Sequence, residues 1–375
     1  MPPRTTVFLL LAISVGRCLC APLQRPDPFS AFRQSLHTLV DFSPDPCTPG
    51  AGNKDDLSDV ESPLFRQAAR IVTHELNQIP ARPGSPRERA EETLKKLERL
   101  SAEVNAVWPE DNRFHFEILD LPPLLVTKMT LRSQETFVVF GVPENDPLKS
   151  TPSWREVGSP EPPKYPAPRI QLELYPLHRS HSGNARFLAK FYYVGCLGST
   201  GVAYDARDWN PKGPGSLDQI INQSGSFGMD DKVPGFPQVG TLQTQGTLIT
   251  LPYCWFSTID TWDNPSLCAV DTYDLSGDDI RFNGRTYNHP DLVPIAKAVE
   301  YAQQHDYPAV LAYCASSDIA RRLVRDFPPH VFADDLRLTK RGKAREHVEF
   351  GSDRTYRFDV EMLAGRWRVV AFSIE

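Results

Sequence analysis

Acidic and aromatic side chains are concentrated in one short stretch of the chain, from Leu251 to Asp279. Two carboxylates held several ångströms apart are what glycoside hydrolysis needs, because one protonates the leaving oxygen and the other acts as base or nucleophile. A neighbouring aromatic ring offers a flat apolar face to a sugar. The residue types of this stretch are therefore those that a sugar site would need. Its aspartates are Asp260, Asp263, Asp271, Asp274, Asp278 and Asp279, and its aromatic residues include Trp255, Trp262 and Tyr273.

This acidic stretch fits three different roles. As a noncatalytic site it would recognise carbohydrate or protein. As a secreted hydrolase, most simply a glycosidase, it would use two of Asp260, Asp263, Asp271 and Asp278, with Asp260 and Asp263 as the first catalytic candidates. In a structural role the tryptophans lie in the core and the acids at strand ends and turns. We expect a noncatalytic binding or structural protein, whose ligand residues would be Trp255, Trp262, Asp260, Asp263 and Asp278.

Metal binding has weaker support in the sequence. Asp278 and Asp279, with nearby carbonyl oxygens, could form an oxygen-rich calcium loop. His178 and His181 are the only close pair of histidines, and no cysteine or carboxylate lies beside them. We expect no cofactor and no other metal, with calcium at Asp278 and Asp279 as the alternative.

The N-terminus has the three parts of a secretory signal peptide. Arg4 precedes an apolar run from Val7 to Val15, and small and polar residues follow as far as Ala21. No other stretch approaches the length of a transmembrane helix. We therefore expect 1–21 to be cleaved and the protein to be exported, either secreted or periplasmic, without a membrane span.

Cysteine usage fits an oxidising compartment. Loss of the signal peptide leaves an odd number of cysteines, so at least one thiol has no partner within the chain. We predict a disulfide between Cys254 and Cys268, because the intervening residues can fold back. Cys196 and Cys314 lie in apolar runs and are interpreted as buried small hydrophobic residues. The five cysteines that remain are Cys47, Cys196, Cys254, Cys268 and Cys314.

Charge and short motifs exclude several function classes. The formal net charge is -6 and no Lys/Arg block dominates any segment, which argues against a nucleic-acid partner. Phosphate-loop, dinucleotide-glycine, two-histidine zinc and nucleophile-elbow patterns are missing. Asn222-Gln-Ser224 is a glycosylation sequon, whereas Asn264-Pro-Ser266 is disqualified by its proline.

Two helices are predicted in the N-terminal half. The first has Ser62 as its cap and Pro63 as its first residue. The second is capped by Ser85, with Pro86 at the first helical position and Glu88 placed to close a capping box. From Phe114 the apolar period changes from 3.6 to 2, which predicts strands that these helices cover.

The C-terminal half is predicted to be rich in strands. Segments 170–175 and 186–196 predict a hairpin, and Trp209 is placed in a loop. Asp291 and Ser317 are predicted to cap two helices, with a short buried strand from Tyr307 to Cys314 between them. Alternating residues then predict an antiparallel meander as far as Ile374.

The predicted fold class is α+β. It consists of an N-terminal helical pair on a small sheet, then a larger β-rich domain that ends in two helices and an antiparallel meander. The predicted division is a signal peptide at 1–21, a loosely ordered leader at 22–61, the helical pair and small sheet at 62–142, a Pro-rich linker at 143–169, a β-rich region at 170–290 and an α+β unit at 291–375.

Overall fold

The fold is described from a computed structural model of the chain. The residues that the structure describes are 27–40, 57–78, 85–106, 113–132, 134–142, 153–159, 169–194, 200–210, 217–227, 242–255, 257, 259, 267–328, 336–341, 345–350 and 354–375.

Helices cover one face of a small antiparallel sheet at the N-terminal end. Their buried side chains form a common core with Phe114, Met129 and Phe140 of the sheet side. The helices are α1 (Pro28–Val40), α2 (Leu57–Asn77) and α3 (Pro86–Val104). The strands, in the order β1-β2-β3-β4, are His115–Leu121, Leu124–Leu131, Gln134–Gly141 and Arg155–Gly158.

The described part of the predicted leader is helical, and the predicted start of the first helix was wrong. Helix α1 lies inside 22–61. Its Phe32 and Leu36 are spaced by one turn and are both fully buried in the helical core, and this burial stabilises the helix. Helix α2 begins at Leu57, and Pro63 lies within it. Burial of its apolar side outweighs the backbone hydrogen bond that a proline removes.

The predicted start of α3 is confirmed. The Glu88 backbone N–H donates to Ser85 Oγ at 3.2 Å, and the Ser85 backbone N–H donates to Glu88 Oε2 at 2.7 Å. Pro86 follows the cap, as predicted. These reciprocal bonds satisfy two N–H groups that the first turn would otherwise leave unpaired.

Replacing Ser85 with alanine should lower the free energy of unfolding by about 1 kcal/mol, because the cap loses its acceptor. Hydrogen bonds from Ser85 lower the pKa of Glu88. The contribution of the Glu88 carboxylate to stability is therefore present above its unfolded pKa and is lost as the pH falls through the folded pKa. Urea unfolding of the parent and of Ser85→Ala at neutral pH measures the effect of the substitution. Ser85→Thr, which keeps the hydroxyl, is the control and should stay close to the parent.

The opposite face of the small sheet packs against the next sheet of the chain. Phe137 of β3 contacts Phe187 edge to face, with ring centroids 5.4 Å apart. A Cβ built on Gly141 would lie 3.1 Å from the ring of Trp209, so the glycine permits this approach. The predicted linker at 143–169 therefore does not separate two cores, and it contains β4, which pairs with β3.

A long antiparallel sheet makes up the middle of the chain, in the order β12-β11-β10-β8-β7-β6-β5 with β9 paired to β10. The predicted hairpin is confirmed as β5 and β6. Trp209 is not in a loop but ends β7, where it is fully buried. The strands are β5 (Arg169–Pro176), β6 (Ala185–Val194), β7 (Thr200–Trp209), β8 (Leu217–Phe227), β9 (Gln243–Gln245), β10 (Leu248–Trp255), β11 (Leu267–Asp274) and β12 (Arg281–Tyr287).

This long sheet folds back on itself around a second core. The core draws buried side chains from β6, β7 and β8 and from β10 and β11. Tyr204 of β7 donates from its hydroxyl to the carbonyl of Pro252 in β10 at 2.7 Å. Arg186 of β6 donates from Nη1 to the carbonyls of Leu275 and Gly277, at 3.2 and 2.9 Å. The Tyr204 bond joins β7 to β10, and the Arg186 bonds hold the β11–β12 turn against β6.

The C-terminal unit packs short helices on a meander of strands, and the meander and its Ala364-Gly365 turn are as predicted. Their shared core also includes Ile259 and Leu267 from the middle of the chain. The helices are α4 (Val293–Gln303), α5 (Tyr307–Leu311) and α6 (Ser317–Asp326), and the strands are β13 (Leu336–Arg341), β14 (Arg345–Phe350), β15 (Tyr356–Leu363) and β16 (Arg366–Ile374).

Three local predictions in this unit are corrected. Leu292, not Asp291, occupies the cap position of α4 and makes no side-chain cap hydrogen bond. The predicted strand from Tyr307 to Cys314 is helix α5 over its first five residues. Ser316, one residue earlier than predicted, caps α6 by accepting from the Ile319 backbone N–H at 3.3 Å. The α+β fold class as a whole, with helices at both ends and antiparallel sheets, is confirmed.

Candidate functional site

The predicted disulfide lies on the hairpin of β10 and β11. The register places Cys254 directly opposite Cys268, and the two cysteines are bonded. Trp255 pairs with Leu267 at the end of the same hairpin, so the chain from 256 to 266 leaves and returns at this point. The disulfide therefore holds together the two ends of the segment that carries most of the predicted site.

The predicted ligand residues divide into two sets. Trp255 is half-buried on β10, and its ring lies 6.0 Å from the rings of both Tyr253 and Tyr287. Asp278 lies in the turn between β11 and β12. Asp260, Trp262 and Asp263 lie outside the described residues, so their predicted role is neither supported nor contradicted.

A carboxylate–guanidinium pair lies on the same face of the sheet as Trp255. The register aligns Leu251, Asp271 and Arg285 across β10, β11 and β12. Asp271 is fully buried and accepts from Arg285 Nε at 2.6 Å and from Arg285 Nη2 at 2.9 Å. Such a two-point bond fixes the plane of the guanidinium as well as its position. The side chain of Arg285 remains 37% exposed, so a rigidly held cation reaches the surface.

Tyrosine side chains complete the surroundings of this pair. Tyr253 donates from its hydroxyl to Asp271 Oδ2 at 3.3 Å, and its ring centroid lies 5.7 Å from the Arg285 guanidinium carbon. Burial, reinforced by the charge of Asp271, raises the pKa of both Tyr253 and Tyr273. Both phenols therefore stay neutral at physiological pH and can act as hydrogen-bond donors. The bonds to Asp271 also raise the pKa of Arg285, which keeps its charge.

An exposed phenylalanine lies next to the arginine. Phe282 of β12 is 55% exposed, and its ring packs edge to face on Tyr273 with centroids 5.5 Å apart. A β-bulge between Thr272 and Tyr273 brings these two residues into register. We call this group of side chains the arginine–aromatic face. It consists of Tyr253, Trp255, Asp271, Tyr273, Phe282, Arg285 and Tyr287. Phe282 and Arg285 reach the surface, whereas Tyr253 and Asp271 are buried beneath them.

The other described acids of the stretch are held apart from this face. Asp274 accepts from the Ser276 backbone N–H at 2.9 Å and from the Thr247 hydroxyl at 3.1 Å. Asp278 accepts from the Ser182 backbone N–H at 2.6 Å, a bond that lowers the pKa of Asp278. Asp278 therefore ties the turn to the β5–β6 loop rather than facing Arg285. In the described part of the chain, no three His, Cys, Asp or Glu side chains are grouped so as to hold a metal ion.

Sequence reasoning missed Arg285, Phe282 and Tyr287, because residues 281–287 were assigned to no element. One signal was available. Asp271 falls on the same alternating face as apolar residues of β11, and a carboxylate in such a position needs a cationic partner. The nearest following basic residues are Arg281 and Arg285.

The remaining described cysteine plays no part in this face. Cys314 is buried and not disulfide-bonded, as the sequence interpretation held. Burial raises the pKa of its thiol to about 12. The thiol is therefore protonated and a poor nucleophile at neutral pH. Cys47 and Cys196 lie outside the described residues.

Comparison with protein-family models and with curated proteins does not identify the chain. No protein-family model matches the chain, and no curated protein matches it significantly. Among the helices that the structure describes, none is long and apolar enough to cross a membrane.

Proposed function

We propose that the protein is an exported, noncatalytic carbohydrate-binding protein and that the arginine–aromatic face holds the ligand. One observation carries the proposal: the exposed ring of Phe282 lies on the same face as Arg285, whose guanidinium is anchored by a fully buried Asp271. Apolar exposed rings beside fixed polar groups are typical of small-molecule sites.

Carbohydrate is the ligand class that this combination suits. A pyranose ring has an apolar face of C–H groups, which can stack on Phe282, and a rim of oxygens. The guanidinium hydrogens of Arg285 that neither Asp271 nor Tyr287 uses are donors to hydroxyl or carboxylate oxygens. Because Asp271 fixes the guanidinium plane beforehand, ligand binding costs little side-chain entropy at this residue.

A noncatalytic role is favoured by the positions of the carboxylates. Asp271 has both oxygens bonded to Arg285, and Asp274 and Asp278 accept from separate backbone groups. Glycoside hydrolysis would need two carboxyl groups facing one sugar. A glycosidase alternative would depend on Asp260 and Asp263.

Export is supported by two independent features. The N-terminal segment has the pattern of a signal peptide. The disulfide between Cys254 and Cys268 is typical of proteins that fold in an oxidising compartment.

Screening of immobilised glycans, followed by titration of the best binder, tests the proposal. The set should contain neutral and uronate-containing oligosaccharides, with peptides as a separate arm. We expect a carbohydrate to bind and Phe282→Ala to weaken its affinity roughly fivefold, since a ring contact contributes about 1 kcal/mol. The midpoint of thermal unfolding without ligand should hardly change in this variant, because Phe282 is largely exposed.

Met362→Ala is the matched control, since Met362 is also an exposed apolar residue but lies on β15. It should bind as the parent does. Binding of peptides alone would replace the proposal with protein recognition. Release of reducing sugar from a bound glycan would instead favour the glycosidase.

A further inference from the structure

The sequon Asn222-Gln-Ser224 lies on β8, outside the arginine–aromatic face. We infer that Asn222 carries an N-linked glycan when the chain passes through a secretory pathway that glycosylates, an inference that rests on the proposed export. The residues Asn222 and Ser224 both have exposed side chains on β8. The sequon meets the rule that its middle residue is not proline.

The position of Asn222 in the sheet leaves room for a large substituent. Its backbone pairs with Asp205 of β7 on one side. On the other side, β8 pairs with β10 through Ser226 and Cys254 alone, as far as the described residues extend. The neighbouring Ile221 is buried in the second core and anchors the strand, while Asn222 points to the opposite face of the sheet.

The native contacts of Asn222 would survive the modification. The described contact of its side chain is a bond from Nδ2 to Gln219 Oε1 at 3.4 Å, which is close to the limit for a hydrogen bond. A glycosylated amide keeps one N–H, so this bond can persist. The folded protein therefore does not need to change shape to carry the glycan.

The chemical step requires a lipid-linked oligosaccharide as co-reactant. A bond forms between Asn222 Nδ2 and C1 of the first N-acetylglucosamine, and the bond from that C1 to the pyrophosphate oxygen breaks. The polyprenyl pyrophosphate leaves with the electron pair, and Nδ2 loses one proton to a base of the transferase. The hydroxyl of Ser224 is the part of the sequon that the transferase recognises together with the asparagine.

Expression of the full chain in a cultured animal cell line tests the inference. The chain should be made once with its own N-terminal segment and once with the signal peptide of an established secreted protein. We expect treatment with peptide N-glycosidase to increase electrophoretic mobility and to convert Asn222 to aspartate, as read by peptide mass spectrometry. The variants N222Q and S224A should lose the mobility change, whereas S224T should keep it.

N264Q is the matched control, because Asn264 is followed by proline and should carry no glycan. Unmodified Asn222 in the chain with the replaced signal peptide overturns the site itself. Modification with the replaced signal peptide but not with the native N-terminus overturns the export, and with it the inference for the natural chain. A glycan at Asn222 in both proteins supports both.

Discussion

Arg186→Met should lower the free energy of unfolding by about 3 to 5 kcal/mol, the range seen when one partner of a buried charged network is removed. Arg186 is fully buried, and its guanidinium donates to the carbonyls of Leu275, Gly277 and Asp278 and to the carboxylate of Asp208. Methionine fills a similar volume but donates nothing. The carbonyls of Leu275, Gly277 and Asp278 would then lose this donor, and the cost is greatest at the buried Leu275. Asp208 would keep its bond from Asn184 Nδ2 at 3.1 Å.

Urea unfolding of the parent and the variant measures this effect. Arg186→Lys keeps the charge but loses the planar fork, so it should recover only part of the stability. Arg321→Met is the matched surface control, because its ion pair with Asp318 is exposed and should contribute less than about 1 kcal/mol. If Arg186→Met lowered the free energy of unfolding no more than Arg321→Met does, the β11–β12 turn would be held by its apolar contacts instead.

Arg285→Leu should lower the free energy of unfolding by about 3 kcal/mol, near the lower end of the same range because the arginine is partly exposed and screened by water. The variant leaves the fully buried Asp271 with the hydroxyls of Tyr253 and Tyr273 as hydrogen-bond partners and without a cation. A buried carboxylate without a cationic partner bears the full cost of its desolvation.

A second substitution separates the charge from the packing of the arginine. Urea unfolding at neutral pH measures the loss. The double variant Asp271→Asn with Arg285→Leu removes the buried charge altogether and should recover most of the stability. A double variant as unstable as Arg285→Leu alone would assign the effect to packing of the arginine stem.

Features set by neighbouring residues were predictable from the sequence. Ser85, Pro86 and Glu88 define the start of α3 by local hydrogen bonds and a fixed backbone angle, which tertiary contacts do not need to supply. Cys254 and Cys268 were predicted correctly because a short connection with turn-forming residues lets two strands return side by side. In both cases the determining atoms lie within a few residues of one another or at the ends of one turn.

Features set by distant residues were not predictable in the same way. The apolar run from Tyr307 to Cys314 fits a buried strand or a buried helix equally, since a short run does not reveal its period. The helix follows from a cap that was overlooked: the Asp306 carboxylate accepts from the Ala309 backbone N–H at 3.1 Å, and a proline occupies the first turn. Trp209 was assigned to a loop because its burial depends on side chains from the other sheet.

The candidate site also contains residues that local sequence indicates and residues that only the placement of distant strands brings together. The disulfide was predicted from the sequence, and Trp255 was named there as a candidate ligand residue, because an aromatic residue and two cysteines stand out in alternating strands. Arg285 and Phe282 become part of a site only when β12 is placed beside β11, and the bulge at Thr272 decides which residue faces Tyr273. Strand partners and bulges are set by the whole sheet, so sequence spacing alone does not give them.

The core shared by the small and long sheets bears on how the chain unfolds. Phe137 of β3 packs on Phe187 of β6. The ring of Trp209 in β7 approaches Gly141 of β3 so closely that a Cβ on this glycine would lie 3.1 Å from it. Neither sheet can leave the other without exposing these rings to water, at a cost of several kcal/mol. We therefore expect the two sheets that the proline-rich segment joins to unfold together rather than one after the other.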